Sequence, residues 1–359
     1  MANYMNVANP RFYCDYINYR LSRGIAQNGN YDVGATNSGA NLVGIKSGGG
    51  SEIELFDMKP FNQVTFDTSA DTTKRQDHVV VTLDVMGENA SKKSFVAILN
   101  HNLKSAGGKI RISSSDTKSH VQLADFGSAT DAAPTEILNA DTISGNLISP
   151  NEDGSTIVTF SEEDNRYWGI QFEGSGSEDA TTSGNYFTDD ADLKIGCILI
   201  GEFYDLPQSP DVDVKRTVAF DTVNIEESLG GHRYSTMISH GRQAADQNKS
   251  PFVTTTTQQQ VFGGRLSWDM NFSFLDSDEV MPVQWNTYNP SGDSVINDAW
   301  NLTNGGHIPF IFSCDNSQTG TNAETAHIFA RFAQDSLVQT QVSPNLWNIA
   351  LKIEEEFWL

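Results

Sequence analysis

The chain has 359 residues, with 46 acidic against 23 basic side chains and a formal net charge of −23. At ~150 residues per domain that is room for about two domains, each large enough to bury its own core. The charge speaks against a nucleic-acid-binding surface, which needs clustered Lys and Arg on phosphate, and against docking on anionic lipid. Cys14, Cys197 and Cys314 are few, odd in number and far apart, so they form neither a disulfide framework nor a metal spacing, as suits folding in a reducing cytoplasm. The opening MANYMNVANPRFY has no basic segment leading into an apolar one, so no signal peptide is expected. Apolar runs are strand-sized, and no membrane insertion is expected.

Residues 1–24 form an aromatic arm with Phe12, Tyr13, Tyr16, Ile17 and Tyr19. It reads as a short strand or a single helical turn, and periodicity does not decide between them. Gly/Asn/Ser-rich loops follow at Asn28-Gly29-Asn30 and Gly34 to Asn41, with a turn at Ser47 to Ser51. From there the chain reads as β. Val64 and Phe66 alternate, as do Val79, Val81, Leu83 and Val85.

The stretch KSFVAILNHNLKSAGGKIRI, Lys93 to Ile112, organises the first half. Phe95, Ala97 and Leu99 fall on one face of its strand, Val96 and Ile98 on the other, so the strand is expected to be covered on both sides. The turn at Asn100-His101-Asn102 supplies side chains that satisfy irregular backbone, and Gly107 and Gly108 let the chain reverse. Ile157 to Phe160 and Trp168, Ile170, Phe172 continue the β pattern, and the polar stretches 113–155 and 173–190 read as long rim loops.

Asp205-Leu206-Pro207-Gln208-Ser209-Pro210-Asp211 reads as a stiff connector, dividing the chain into 1–206, a linker at 207–214, and 215–359. In the second part Leu266, Trp268, Met270, Phe272 and Phe274 share one predicted strand face against Ser267, Asp269, Asn271 and Ser273. Short helices are predicted around Glu279–Tyr288 and Ser294–Asn301. Trp347, Ile349, Leu351 and Ile353 alternate in a last strand, beyond which Phe357, Trp358 and Leu359 form an aromatic end suited to docking on another subunit. The fold class is all-β, in two parts.

Chemistry-bearing constellations are sparse. His101 would need a positioned partner to act as a base, and it reads instead as a capping histidine. Asp189, Asp190 and Asp192 cluster, as do Glu162, Glu163 and Asp164, but neither set has the loop that would supply six to eight oxygens to calcium. Gly48-Gly49-Gly50 lacks the Lys-Ser/Thr of a phosphate loop, and no nucleophile-elbow or zinc-protease motif occurs. His232 and His240 near Arg233, and the separate His307 and His327, lack zinc spacing. With 46 acidic residues, carboxylate pairs of glycosidase type arise by chance. No catalytic residue, no cofactor and no enzymatic activity are expected.

Two blocks carry a family resemblance. Phe95-Val96-Ala97-Ile98 running to His101-Asn102-Leu103 and Ala106-Gly107, with Tyr167-Trp168-Gly169-Ile170 and Lys194-Ile195-Gly196 to Gly201, resembles the discoidin-like (galactose-binding-like) jelly roll of tailed-phage virion proteins. The resemblance spans roughly the first 200 residues and implies a jelly-roll sandwich. In that family sugars bind at rim loops, which makes Tyr186, Phe187 and His101 glycan candidates, and a structural calcium is common, which makes Asp189, Asp190 and Asp192 metal candidates. Gly263 to Leu275, His307 to Phe312, Phe329-Ala330-Arg331-Phe332 and the Leu351-Lys352-Ile353-Glu354-Glu355 ending are similar to C-terminal β domains of tail and baseplate proteins, which implies a smaller β-sandwich or barrel there. The resemblance implies a virion component of the tail, baseplate or host-recognition apparatus, made in the host cytoplasm and released by lysis. It would assemble with copies of itself and with neighbouring virion proteins, and Phe12, Tyr16, Phe357, Trp358 and Leu359 are interface candidates. Alternatives are a carbohydrate-binding module on host glycans, a head decoration protein, and a surface-polysaccharide-degrading enzyme.

Overall fold

The structure, a computed structural model, describes residues 7–24, 31–33, 43–69, 78–85, 92–122, 128–140, 142–144, 146–174, 187–188, 190–219, 223–237, 252, 265–281, 295–320, 323 and 326–356. The fold is all-β. Strands of the first half are β1 (Arg11–Asp15), β2 (Tyr31–Val33), β3 (Val64–Phe66), β4 (Val79–Asp84), β5 (Lys93–His101), β6 (Gly108–Ser115), β7 (Thr130–Asp131), β8 (Thr135–Leu138), β9 (Thr142–Ser144), β10 (Leu147–Ser149), β11 (Gly154–Glu163), β12 (Tyr167–Gly174), β13 (Leu193–Ile195) and β14 (Cys197–Asp205). The second half adds β15 (Lys215–Ala219), β16 (Val223–Glu227), β17 (Arg233–Met237), β18 (Arg265–Asp276), β19 (Phe310–Ser313), β20 (His327–Phe332), β21 (Gln339–Ser343) and β22 (Leu346–Glu355). Helices are short: α1 (Tyr16–Ser22), α2 (Ser277–Val280) and α3 (Val295–Leu302).

Among the described residues, an eleven-stranded sheet runs β15-β18-β22-β20-β19-β1-β14-β5-β11-β8, with β21 on β22. A seven-stranded sheet, β2-β4-β12-β6-β10-β9 with β7 on β6, faces its first-half portion. Val79, Val81, Leu83, Ile110, Ile112, Trp168, Ile170 and Phe172 of the second sheet pack in one core with Val96, Ile98, Ile198 and Ile200 of the first. Phe95, Ala97 and Leu99 lie in a separate core with Tyr13, Leu199 and Phe329. The central strand β5 is thus buried on both faces, as its uninterrupted apolar run requires. β5 and β6 do not pair with each other; the corner at residues 102–107 carries the chain from one sheet to the other.

The ambiguous arm is both things at once. β1 forms first, and Asp15 then caps α1, its Oδ2 accepting from the Asn18 N–H at 2.7 Å. The other carboxyl oxygen, Oδ1, accepts from the Ile200 N–H at 3.1 Å, tying the cap to β14. β1 pairs with β14 on one side, Phe12 opposite Tyr204, and with β19 on the other, Phe12 opposite Phe312. The long sheet therefore does not break between the halves. Among the described residues, β15, β18 to β20 and β22 extend this open sheet, with β21 on β22, and do not close into a barrel.

Two sequence expectations are corrected. The region 113–155, expected as rim loop, carries β7 to β10, each too short to show alternation. Within the expected connector, the Asp211 N–H donates to the Asn271 carbonyl at 2.8 Å, and Ser273 Oγ donates to Asp211 at 2.7 Å. In β18, Trp268, Met270 and Phe272 are buried as predicted, but a bulge follows Phe272, so that Leu275 takes the interior place and Phe274 turns outward, 66% exposed. Of the predicted helices, α3 matches Ser294–Asn301 closely, and α2 ends before residues 282–290, which lie outside the described residues.

Candidate functional site

His101 ends β5 with its ring sealed inside, 2% exposed. Nδ1 accepts from the Leu103 N–H at 3.3 Å, which places the ring proton on Nε2. Nε2 then donates to Thr156 Oγ1 at 2.8 Å, and that hydroxyl donates on to the Asn139 carbonyl at 3.3 Å. Burial pushes the imidazole down to about 3, so it stays neutral. This is a capping histidine at a sheet-to-sheet corner, as the sequence suggested, and a ring this buried presents no face to a sugar.

The other predicted site residues do not converge. Phe187 is a core residue, 1% exposed, so it is no rim platform; Tyr186 lies outside the described residues. Asp189 is likewise outside them, and Asp190 is exposed. Asp192 is occupied by protein donors: Lys46 Nζ at 2.5 Å on one oxygen, the Ser69 N–H at 3.0 Å and Ser69 Oγ at 2.7 Å on the other. Among the described residues no group of three or more His, Cys, Asp or Glu side chains is placed to hold a metal. Phe12 and Tyr16 are also corrected as interface candidates. Phe12 packs at 5.6, 5.4 and 5.8 Å from the rings of Phe310, Phe312 and Phe332, and Tyr16 is buried beneath Lys93. Phe357, Trp358 and Leu359 lie outside the described residues.

Sequence reasoning missed a buried charged cluster around α1. Lys93 Nζ sits 4.1 Å from the Tyr16 ring centroid, and Arg20 donates to the Tyr16 hydroxyl at 3.0 Å. Glu202 accepts from the Tyr204 hydroxyl at 3.0 Å. Burial pushes Lys93 down to about 7, opposed by the nearby Glu202. Burial likewise pushes Glu202 up to about 7. No signal in the sequence marks either residue, since a lysine entering a strand and a lone glutamate in one both read as exposed.

A second unheralded feature lies on the face of the seven-stranded sheet turned away from the core. Thr82 and Ser113 both stand opposite Gly169, and in the next row Val80 and Arg111 flank Gln171. Among the described residues, buried Thr82 Oγ1, Ser113 Oγ, Gln171 Oε1 and Arg111 Nε find no hydrogen-bond partner.

The surface has its own pattern. Among the described residues, every exposed large apolar side chain except Ile53 lies between Val212 and Val342. Among the described residues, β16 and β17 pair only with each other, as an exposed ribbon. No helix among the described residues is long and apolar enough to cross a membrane.

Fold and site together define an all-β protein with a sandwich at one end of a long open sheet. No protein-family model and no curated protein matches the sequence. Among solved structures the chain is similar to chitosan-binding module 1 of a chitosanase/glucanase from Paenibacillus sp. IK-5, at 10% identity and a TM-score of 0.30, over 49% of this chain and 96% of that one. A selenomethionine-labelled mutant of the same module gives 9% identity and a TM-score of 0.31, over 53% and 99% of the two chains. Likeness at this level carries no argument about ligand or lineage.

Proposed function

We propose that this chain is a structural component of a tailed-phage particle, in the tail, baseplate or host-recognition apparatus, acting by assembly and performing no reaction of its own. The reading is supported by the family resemblance of its strand blocks. The observation that carries it is the β16–β17 ribbon. A two-stranded ribbon is marginal in water by itself, and apolar side chains held out on it are stabilised once a neighbour covers them. Mass spectrometry of purified particles tests this: the chain should be present in stoichiometric, symmetry-compatible copies, and its absence would overturn the reading.

A further inference from the structure

Phe274, on the bulge of β18, is exposed in a conformation that costs free energy to hold. Its φ of 62° is left-handed, which bulky side chains rarely adopt, and it is fixed by the Phe274 N–H donating to Asn348 Oδ1 at 3.0 Å. The ring is 66% exposed. Asn348 stands opposite Thr340 on β21, and Val338 and Val342 lie two residues to either side of Thr340. Val338 is 62% exposed and Val342 44%. A strained aromatic and two valines are thus held in solvent on one part of the sheet.

The margin of this patch is acidic on every segment that forms it. On the connector, Asp211 accepts from Ser273 Oγ at 2.7 Å and Asp213 accepts from Asn271 Nδ2 at 2.9 Å. Asp276, Asp278 and Glu279 lead from the bulge into α2, which Gln339 Nε2 ties to β21 by donating to the Val280 carbonyl at 3.3 Å. Asp335 is exposed just before β21. Residues 209–213, 271–281 and 335–349 hold these six acids in 31 residues and no Lys, Arg or His, about three times the negative density of a chain carrying −23 over 359. Farther along the sheet, Lys215 and Lys352 both stand opposite Asp269. The outer edge of β21 pairs with no strand among the described residues.

We infer that the Phe274–Val338–Val342 patch docks a basic polypeptide segment of a different protein, with an apolar side chain on Phe274 and Lys or Arg side chains on the acidic margin. The inference rests on the assembly reading and names the chemistry of one neighbour. Charge complementarity selects the occupant: a margin with six carboxylates and no cation attracts a basic surface and repels another acidic chain such as a second copy. An exposed aromatic at the centre of a charged margin is the anchor such a contact needs. The outer edge of β21 offers backbone groups to an extended segment, which favours a polypeptide over a small cation.

Fluorescence anisotropy on the full chain tests it with short blocked peptides in which Lys alternates with Leu, Lys with Ser, or Glu with Leu. Phe274→Gly removes the aromatic at a backbone geometry that glycine accepts freely. Asp278→Asn with Asp335→Asn discharges two exposed residues of the margin. The Lys–Leu peptide should bind the parent, and Phe274→Gly, with its thermal unfolding checked as near-parental, should weaken it ~10-fold or more, as truncating an interface anchor does. The charge variant should bind more weakly and lose part of the salt dependence, which Phe274→Gly should keep. Should Phe274→Gly unfold early, Val338→Ser with Val342→Ser takes its place with the same expectation. A Lys–Leu peptide that does not bind overturns the inference, as does binding that Phe274→Gly leaves unchanged or that the Lys–Ser or Glu–Leu peptide matches. Sedimentation velocity showing self-association that Phe274→Gly abolishes overturns it in favour of a second copy. If the peptide fails while particles contain the chain, the assembly reading stands and only this surface is wrong; if it binds as expected and particles lack the chain, the surface stands and the assembly reading falls.

Discussion

Truncating one ring on β1 should loosen both halves of the molecule. Phe12 is 1% exposed and tilts against Phe310, Phe312 and Phe332 with centroid separations of 5.6, 5.4 and 5.8 Å. Its strand is paired with β14 on one side and β19 on the other. Phe12→Ala removes a fully buried ring and leaves a cavity walled by three other rings, which cannot all collapse into it. Such substitutions cost ~3–5 kcal/mol. Aromatic pairs contribute ~0.5–1.5 kcal/mol each beyond area burial, so the upper half of that range is expected. Against a typical net stability of ~5–15 kcal/mol this is a large fraction. Urea denaturation, with hydrogen exchange read separately on β5–β14 and on β18–β22, measures it. Both regions should lose protection at the same lowered midpoint. A loss below ~1 kcal/mol, or one confined to β18–β22 with β5–β14 unchanged, would refute the argument that β1 couples the two.

Other expectations follow from buried groups and close contacts. His101 and His327, pushed down by burial to about 3 and about 4 from an ordinary 6.5, are neutral in the native state. Between those values the unfolded chain takes up protons that the native one refuses, so stability should be full above the ordinary value and fall as pH drops below it; an acid titration of the unfolding midpoint that stays flat down to 4 would contradict this. Lys93, held down to about 7 from 10.5 chiefly by burial, has the same sign: the unfolded state binds the extra proton between those values, so stability rises with pH across that window. Lys93→Met should flatten that rise but destabilise, by up to ~3–5 kcal/mol, because it leaves the buried Glu202 without the cation that lowers it. Gly201→Ala should cost at least ~1–3 kcal/mol by thermal unfolding, since its Cβ would lie 1.9 Å from the Cys14 carbonyl oxygen, backbone against backbone.

Much of the fold was legible because its strands follow period two. The apolar run of β5 announced burial on both faces, and Asn100-His101-Asn102 announced a capped corner. The arm could not be resolved by periodicity, since β1 and α1 share a boundary at Asp15 within twelve residues. An Asp followed three residues later by Asn was the local signal for the cap. Phe274 was misplaced because a bulge shifts parity by one residue and no turn residue announced it. Sequence alone does not place the rings of Phe12 and Tyr16, because an aromatic has the same letter in a core and in an interface. Only the pairing of β1 with strands on either side of it shows where those rings go. Lys93 and Glu202 were illegible for the opposite reason: burial of a charge depends on neighbours distant in the chain.

That pairing of β1 also gives the long sheet a direction. Residues 8–15 stitch the two halves: the Ala8 N–H donates to the Cys314 carbonyl at 3.1 Å, the Leu206 N–H to the Pro10 carbonyl at 2.9 Å, and Arg11 grips Asp205 with Nε at 2.5 Å and a second nitrogen at 2.7 Å. At the β8 edge the outward Ile137 carbonyl is already taken by the Gly320 N–H at 3.0 Å. At the β15 edge no strand follows among the described residues, and all of β15 is exposed. A bare sheet edge such as this one is where a further strand can add. Among the described residues the exposed large apolar side chains, Ile53 apart, belong to that same half, so the proposed assembly predicts contacts through the second half.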